Sequence, residues 1–514
     1  MKHAQPIPLA LSALQSALVD FNPERAGSDV TVTGLSQDSR QVTPGCLFAV
    51  RQGTKQSGEA YVEQACAAGA SALLIERATA AEEKAQRLGV PYLAVSDVAA
   101  VLGPAAQVLF GLPSSQLAVV GVTGTNGKTT TVTLLRQALG ALGHAAAELG
   151  TLGFVCGDLH YASGLTTPGP ELIARDMRTA AAAGAGFFVM EVSSHAVVQR
   201  RIDGILFRVV AFSNLTRYLL DFHGSEAEYA AAKFRLFTDY PAARRVVNVD
   251  DAQGAQFARE LVGVGQGVLS VSRKGAADVS LVSATARGRL TELVVNVKGE
   301  TFTFPTELVG DHNIDNLLLS FGILIALGIA AERLPEAASH MTGAAGRLER
   351  CDSNGDDIIA LVDYAHTPDA LERVLRACRG LTAGRVLLVF GCGGDRDPGK
   401  RAPMGEIAAQ GADACWVTND NPRSEDPERI ARAIVEGVRA ARGTYEVCLD
   451  RQAAIARAVA VAQPGDVVLI AGKGHEDYQL IGPNRFDFDD RIAARVALAA
   501  RRALQDKANQ AAQP

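Results

Sequence analysis

The residues with the clearest chemical purpose lie at 119–131, VVGVTGTNGKTTT. An apolar strand runs into a loop spaced by Gly124 and Gly127, and Lys128 and Thr129 then open a helix. Glycines at these points let successive backbone N–H groups and the helix N-terminus converge on phosphate oxygens. Lys128 offers a point charge to the β- and γ-phosphates, and Thr129 a hydroxyl to Mg²⁺. The strict G-x-x-x-x-G-K-[ST] pattern fails by one residue, because Val122 stands where its first glycine would be. The bland alternative, a glycine turn capped by threonine, is disfavoured by the strand–loop–helix setting. A phosphate loop alone does not separate ATPases, GTPases, kinases and ligases. The guanine-reading NKxD motif is missing, which favours ATP.

Further polar clusters stand at strand ends. FFVMEVSSH (187–195) is an apolar strand closing on Glu191, Ser193, Ser194 and His195. A carboxylate there, near a phosphate loop, is a natural Mg²⁺ ligand, while helix capping by Ser193 or Ser194 is a compatible second reading. Lys233 in AAKFRLF, taken alone, reads as a surface lysine laid along an amphipathic helix. Four later strands end in DYAHTPDAL (Asp363, His366), GCGGDRDPGKR (Arg396, Lys400, Arg401), VTNDNPRSEDP (Asp420, Asn421, Pro422, Arg423) and AGKGHEDYQ (Gly472, Lys473, His475, Glu476). Both charge signs gathered at strand ends suit a zwitterionic small molecule beside a nucleotide, where one such loop would be an ordinary solvated turn.

The elements that must position these residues follow from hydrophobic patterning. Apolar strands alternate with helices from LAVVGVT to RRVVNVD, and again from DIIALVDYA to DVVLIAGKG. That pattern predicts α/β architecture with mostly parallel sheets covered on both faces, and ligands at the strand C-termini. Residues 280–305 alternate differently and predict an antiparallel excursion. GLPSSQ at 111–116 reads as a linker, and a second boundary falls near GAAGRLER. Three domains are expected: 1–113, 114–345 and 346–514, the central one ATPase-like and the last doubly wound and Rossmann-like.

Composition narrows the class. A chain of 514 residues exceeds a single core. A formal charge of −6 argues against nucleic acid as the main partner. Eight scattered cysteines without CxxC or Cys/His spacing read as reduced, mostly buried thiols of a cytoplasmic protein. The N-terminal stretch, broken by Pro6, Pro8 and Gln15, reads as a short amphipathic helix rather than a signal peptide. Nothing offers an uninterrupted membrane span.

With these motifs in place the chain resembles the Mur ligase family, in its diaminopimelate-adding branch. The likeness covers nearly the whole sequence: GTNGKTT, MEVSSHAVVQRR, AAKFRLF, GRLER, DYAHTPDAL, GCGGDRDPGKR, DNPR and GKGHEDYQ stand in family order. The resemblance implies an ATP-dependent ligase of peptidoglycan synthesis, expected to be monomeric, with UDP-MurNAc-L-Ala-D-Glu and meso-diaminopimelate as substrates. It implies that the first domain holds the UDP moiety through Leu35, Gln37, Ser39, Thr54, Lys55 and Gln56. Thr166, Thr167, Ser193, Gln199 and Arg201 would bind the muramoyl-dipeptide. Gly124, Thr125, Asn126, Gly127, Lys128, Thr129, Thr130, Asn313, Arg347, Asp363 and His366 would bind ATP. Arg396, Asp420, Asn421, Pro422, Arg423, Gly472 and Glu476 would grip diaminopimelate. Lys233 matches a lysine that becomes N6-carboxylated, replacing the surface reading; Mg²⁺ would then meet Thr129, Glu191 and that carbamate.

Two stretches depart from the family pattern. Thr54 stands where the family usually has histidine. Where the family reads NLxRDHLDYHG this chain reads NLTRYLLDFHG, so Tyr218 and Leu219 replace an Asp-His pair whose histidine ligates Mg²⁺. Leucine cannot coordinate a metal. Compensation by water or His223, a weakened metal site, and a catalytically weakened nucleotide- and UDP-sugar-binding homologue stay open, as does a ligase that adds L-lysine.

Overall fold

The computed structural model describes residues 3–51, 57–216, 224–287 and 289–511, with side chains through 506. Thr54, Lys55, Gln56, Tyr218, Leu219 and His223 lie outside the described residues. The chain divides into two compact units: Met1–Ala284 with Leu293–Pro305 and Asp315–Met341, and Thr285–Glu292 with Thr306–Ile314 and Thr342–Pro514.

The first unit begins with the expected short helix, Leu11–Ala17, whose Leu11 and Leu14 are buried. A five-stranded sheet follows in the order Glu24–Ala26, Tyr92–Val95, Ala72–Glu76, Cys46–Ala49, Gly34–Ser36. It is parallel except at Glu24–Ala26. The strand-like stretch VTVTGLS at 30–36 is divided between two sheets. Thr31–Val32 pairs with Leu9–Ala10, and the chain changes partner at Thr33 so that Gly34–Ser36 pairs with Cys46–Ala49. Within GLPSSQ, Pro113–Gln116 is a short helix with Pro113 and Ser114 buried, and Gln107 Oε1 accepts from Ser114 N.

The phosphate-loop strand Ala118–Thr123 sits inside an eleven-stranded sheet, parallel to Phe187–Glu191 on one side and Phe207–Phe212 on the other. Its residues are buried on both faces, as a strand between helical layers requires. Beyond Phe207–Phe212 the sheet runs on through Ala242–Asn248 and Val268–Ser272, and then Val279–Arg287, Leu290–Val297 and Glu300–Thr306 of the expected excursion. On the opposite flank, Gly153–Cys156 runs antiparallel to both Ala146–Gly150 and Leu159–Tyr161, a hairpin the patterning did not announce. Gly153 permits it: φ is +99°, and a Cβ there would lie 2.2 Å from the Tyr161 carbonyl oxygen.

The second unit holds a six-stranded sheet ordered Glu349–Arg350, Ile359–Asp363, Val467–Ala471, Val386–Phe390, Ala414–Val417, Tyr445–Val447. All but Glu349–Arg350 are parallel, and apolar clusters cover both faces. Parallel pairing puts the four polar strand ends noted above on one edge of this sheet. All eight cysteines are free thiols, seven of them buried. Among the described residues no helix is long and apolar enough to cross a membrane.

Candidate active site

The phosphate loop is built as a cradle without side chains at its two critical points. Gly124 (φ +145°) and Gly127 (φ +85°) occupy backbone conformations that side chains disfavour. A Cβ at Gly124 would lie 1.9 Å from Ser213 Oγ, and one at Gly127 would lie 2.1 Å from Asn316 Oδ1. The end of the neighbouring strand braces the loop. Thr125 N donates to Asn214 O at 2.7 Å, Asn126 N to Asn214 Oδ1 at 3.0 Å, and Ser213 Oγ to Asn126 O at 2.6 Å. Lys128 Nζ donates to the Gly124 and Thr125 carbonyls at 2.8 and 3.0 Å. Ser213, Asn214 and Asn316 were not singled out by motif. Asn316 carried a signal: it follows Asn313 by three residues in the helix Asp311–Leu327, which sets both on one helix face.

Glu191, 2% exposed, ends its strand beside this loop. Its Oε1 accepts from Thr129 Oγ1 at 2.9 Å and Thr151 N at 2.7 Å. Gly150 makes room, since a Cβ there would fall 2.3 Å from Oε1. Thr151 Oγ1 lies 3.1 Å from Thr166 Oγ1. Thr167 Oγ1 donates to Glu191 O at 2.9 Å and accepts from Ser193 N at 3.1 Å. Ser193 Oγ caps the helix Ser194–Val198 by accepting from Ala196 N.

The chain of hydrogen bonds continues outward. Arg201 donates to Thr167 O at 2.7 Å and to Gln199 Oε1 at 2.6 Å. Arg51 donates to Gln199 O at 2.9 Å and to Gln37 Oε1 at 3.4 Å, and Gln37 Nε2 donates to both oxygens of Glu171. Burial, reinforced by Arg51, lowers the Arg201 pKa, and burial raises that of Glu171. Six of the expected substrate residues thus join Glu191 and Thr129 in one network, with Arg51 and Glu171 as members that no motif marked. Two stand apart. Leu35 packs in the hydrophobic core, and Ser39 donates to Gln64 Oε1.

Lys233 is no surface lysine. It is 1% exposed on the helix Glu226–Thr238, whose Tyr229, Ala232, Leu236 and Phe237 are also buried. Its Nζ donates to Gly124 O at 2.9 Å, the carbonyl that Lys128 also engages, and lies 4.5 Å from the Tyr229 ring centroid. Burial first, and Lys128 second, hold its pKa well below the usual lysine value.

In the second unit, Asp363 closes the strand Ile359–Asp363 and accepts from Leu348 N and Ala365 N, both at 2.7 Å. Burial pushes its pKa up to about 6, against the opposing pull of Arg347 and these two bonds. Tyr364 stacks edge-on with His366 and lies under the Arg347 guanidinium, 4.7 Å away. Burial lowers both nearby histidines, His475 to about 4. Asn313 Nδ2 donates to Val309 O.

The DNPR turn is tightly held. Arg423 has φ +51°; its N–H donates to Leu480 O, and its carbonyl accepts from Gly482 N. Its Nη1 donates to Gly394 O at 2.8 Å, the loop that carries Arg396. Asn421 Nδ2 donates to Glu476 Oε2 at 2.8 Å. A Cβ at Gly472 would lie 2.6 Å from Asp420 Oδ2, so that glycine seats the aspartate. Asp420, Asn421, Arg423, Gly472 and Glu476 are therefore assembled at one edge of the sheet.

A phosphate loop hydrogen-bonded to a buried carboxylate in one unit, and a doubly wound sheet in the other, define a nucleotide-binding α/β protein, and the chain belongs to the Mur ligase family. It matches the Mur ligase family catalytic domain over residues 31–108, the Mur ligase middle domain over 122–324, and the Mur ligase glutamate ligase domain over 346–474. It is 41% identical over 483 residues to a UDP-N-acetylmuramoyl-L-alanyl-D-glutamate–2,6-diaminopimelate ligase of Synechococcus elongatus, covering 94% of this chain and 97% of that protein. An enzyme of the same name from Geobacillus thermodenitrificans is 38% identical, covering 96% and 100%. A solved structure of an enzyme of that name superposes with a TM-score of 0.67 at 30% identity, covering 91% of this chain and 94% of that one. A MurF ligase from Thermotoga maritima in complex with ADP shares the fold, with a TM-score of 0.59 at 17% identity over 92% and 98% of the chains.

Proposed function

We propose that this protein is the ATP-dependent ligase that adds meso-2,6-diaminopimelate to UDP-MurNAc-L-Ala-D-Glu in peptidoglycan synthesis. The observation that carries the reading is the unbroken hydrogen-bond path from Thr129 through Glu191 and Thr167 to Arg201 and Gln199. It ties the phosphate loop to the residues assigned to the carboxylate substrate. The domains are assigned as 1–113 for UDP, 114–345 for ATP and 346–514 for the amino acid.

The γ-carboxylate of D-glutamate attacks the γ-phosphorus of ATP, ADP leaves, and an acyl phosphate results. Lys128 and the N–H groups at the start of the helix, Gly127–Thr130, neutralise charge on the transferring phosphoryl group. Asn313, Arg347, Asp363 and His366 hold the adenosine moiety. The diaminopimelate amine then attacks the acyl carbon, expels phosphate, loses a proton and leaves an amide. Arg423 and Arg396 take the distal carboxylate of diaminopimelate, while Asp420 and Glu476 take its ammonium group. Arg423 favours diaminopimelate over lysine, which has no carboxylate there.

The Thr129 hydroxyl and Glu191 carboxylate are hard oxygen donors of the kind Mg²⁺ takes. Bound Mg²⁺ would supply Lewis-acid stabilisation of the phosphoryl oxygens. Lys233 would complete the donor set as a carbamate: burial favours its neutral amine, whose nitrogen would add to CO2 with loss of a proton. The reading includes a monomer acting in the cytoplasm, a compartment that the eight free thiols support.

The test is phosphate release from ATP with UDP-MurNAc-L-Ala-D-Glu plus diaminopimelate, L-lysine or neither. Release confined to diaminopimelate is expected. Release with lysine overturns the specificity, and silence throughout overturns the ligase reading unless Leu219→His restores turnover.

A further inference from the structure

Lys473 has no role in the scheme above, yet it is placed as few lysines are. It follows the strand Val467–Ala471 by two residues and is 0% exposed. Its Nζ donates to Glu476 Oε2 at 3.1 Å and to Asn421 Oδ1 at 3.3 Å, and lies 5.4 Å from the Tyr478 ring centroid. Asn421 closes the triangle by donating to the same Glu476 oxygen at 2.8 Å, and Leu480 N donates to Asn421 Oδ1 at 2.9 Å. A buried ammonium is costly unless it is paired and hydrogen-bonded, so this triangle is strongly constrained.

The pattern of bonds is asymmetric. Lys473 and Asn421 both engage Oε2 of Glu476, and among the described residues Oε1 has no hydrogen-bond partner. The Asp420 carboxylate is likewise without one, though its backbone carbonyl accepts from Gln479 Nε2. The fully buried Arg451 supports the same ground from beneath. It pairs with Asp490 and donates to the carbonyls of Asn419 and Ala471, the residues just before Asp420 and Gly472.

We propose that Lys473 is a positioning residue for the amino-acid substrate: it locks Glu476 to Asn421 through one oxygen and so reserves Glu476 Oε1 and the Asp420 carboxylate for the substrate's ammonium group. This rests on the assignment of that pocket to diaminopimelate. Without Lys473 the Glu476 side chain regains rotamer freedom, and Glu476 loses the cation paired with its Oε2. The defect belongs to binding of the amino acid and not to phosphoryl transfer, because Lys473 engages no residue assigned to ATP or to the UDP substrate.

The experiment compares steady-state kinetics of Lys473→Met and Lys473→Arg with the unaltered enzyme, varying each substrate in turn, alongside thermal unfolding. Lys473→Met is expected to raise KM for diaminopimelate about tenfold or more, as loss of a charge-assisted contact implies. KM for ATP and for the UDP substrate should stay within about twofold, inside the range of additive, uncoupled sites. Lys473→Arg keeps the buried charge and should show a smaller defect of the same kind, since a planar fork cannot reproduce the donors of an ammonium group. A rise shared by all three substrates, no rise in a folded variant, or loss of folding in both variants overturns the proposal in favour of a purely structural lysine. If the unaltered enzyme releases no phosphate with diaminopimelate, it is the proposed function that fails. Activity there with unselective variants defeats only the role of Lys473.

Discussion

Thr129 Oγ1 donates a 2.9 Å hydrogen bond to Glu191 Oε1, joining the first turn of the phosphate-loop helix to the end of an adjacent parallel strand. The hydroxyl and carboxylate are held together by elements far apart in sequence, and both belong to the proposed Mg²⁺ site. Glu191→Gln keeps the acceptor for Thr129 but removes the charge. Turnover should fall about 100-fold or more, the scale of losing one transition-state charge contact. The Mg²⁺ concentration for half-maximal rate should rise. A phosphate-release titration with Mg²⁺ measures both, and an unchanged Mg²⁺ requirement would remove Glu191 from the metal site.

Lys233 should carry a carboxyl group in active protein. Its buried, pKa-lowered amine provides the nucleophile for CO2. Activity should decline in CO2-depleted buffer and recover with bicarbonate, while Lys233→Met, uncharged and of similar length, should be inactive and indifferent to bicarbonate. Rate measurements with and without bicarbonate make the comparison. Equal response of both proteins would exclude the carbamate.

Arg423 is held at φ +51° by the hairpin Tyr478–Ile481 and Asn484–Asp487, with Nη1 anchored on Gly394 O. Arg423→Ala leaves that backbone strain in place and removes only the guanidinium. KM for diaminopimelate should rise about 10- to 100-fold, the worth of a charged hydrogen-bond pair. Use of L-lysine should fall far less, so the ratio of kcat/KM for the two amino acids reports the role directly.

The Asp363 carboxyl, pushed up to about 6, is ionised above that pH and neutral below it. If the charged form binds the nucleotide, KM for ATP should rise as pH falls through about 6. His475, near 4, stays neutral across that window. Asp363→Asn should flatten the dependence and hold KM high at alkaline pH. A KM that follows the same pH curve in both proteins would assign the effect elsewhere.

Much of this was legible in order along the chain. GTNGKTT, the strand ending in Glu191 and the four charged strand ends were each readable because local spacing alone dictates a glycine-permitted turn or a strand terminus. Other features were not. Lys233 looked like a surface lysine because helical periodicity does not say which face meets a neighbouring loop. The hairpin at 153–161 was missed because Gly153 serves a close backbone approach visible only once Tyr161 is in place. Thr151, Ser213, Asn214, Arg51 and Glu171 stand in no recognisable motif; they matter only through partners tens of residues away.

The division has a physical basis. The amino-acid sequence by itself determined which groups could carry the chemistry, because phosphate cradling, carboxylate ligation and zwitterion binding demand particular residue types at short range. Only the tertiary structure decided which of those groups act together. The order of parallel strands set Glu191 beside Thr129, and burial turned Lys233 into a low-pKa amine. Packing around the DNPR turn gave Lys473 its partners. These are consequences of long-range contact and desolvation, which a linear pattern does not contain.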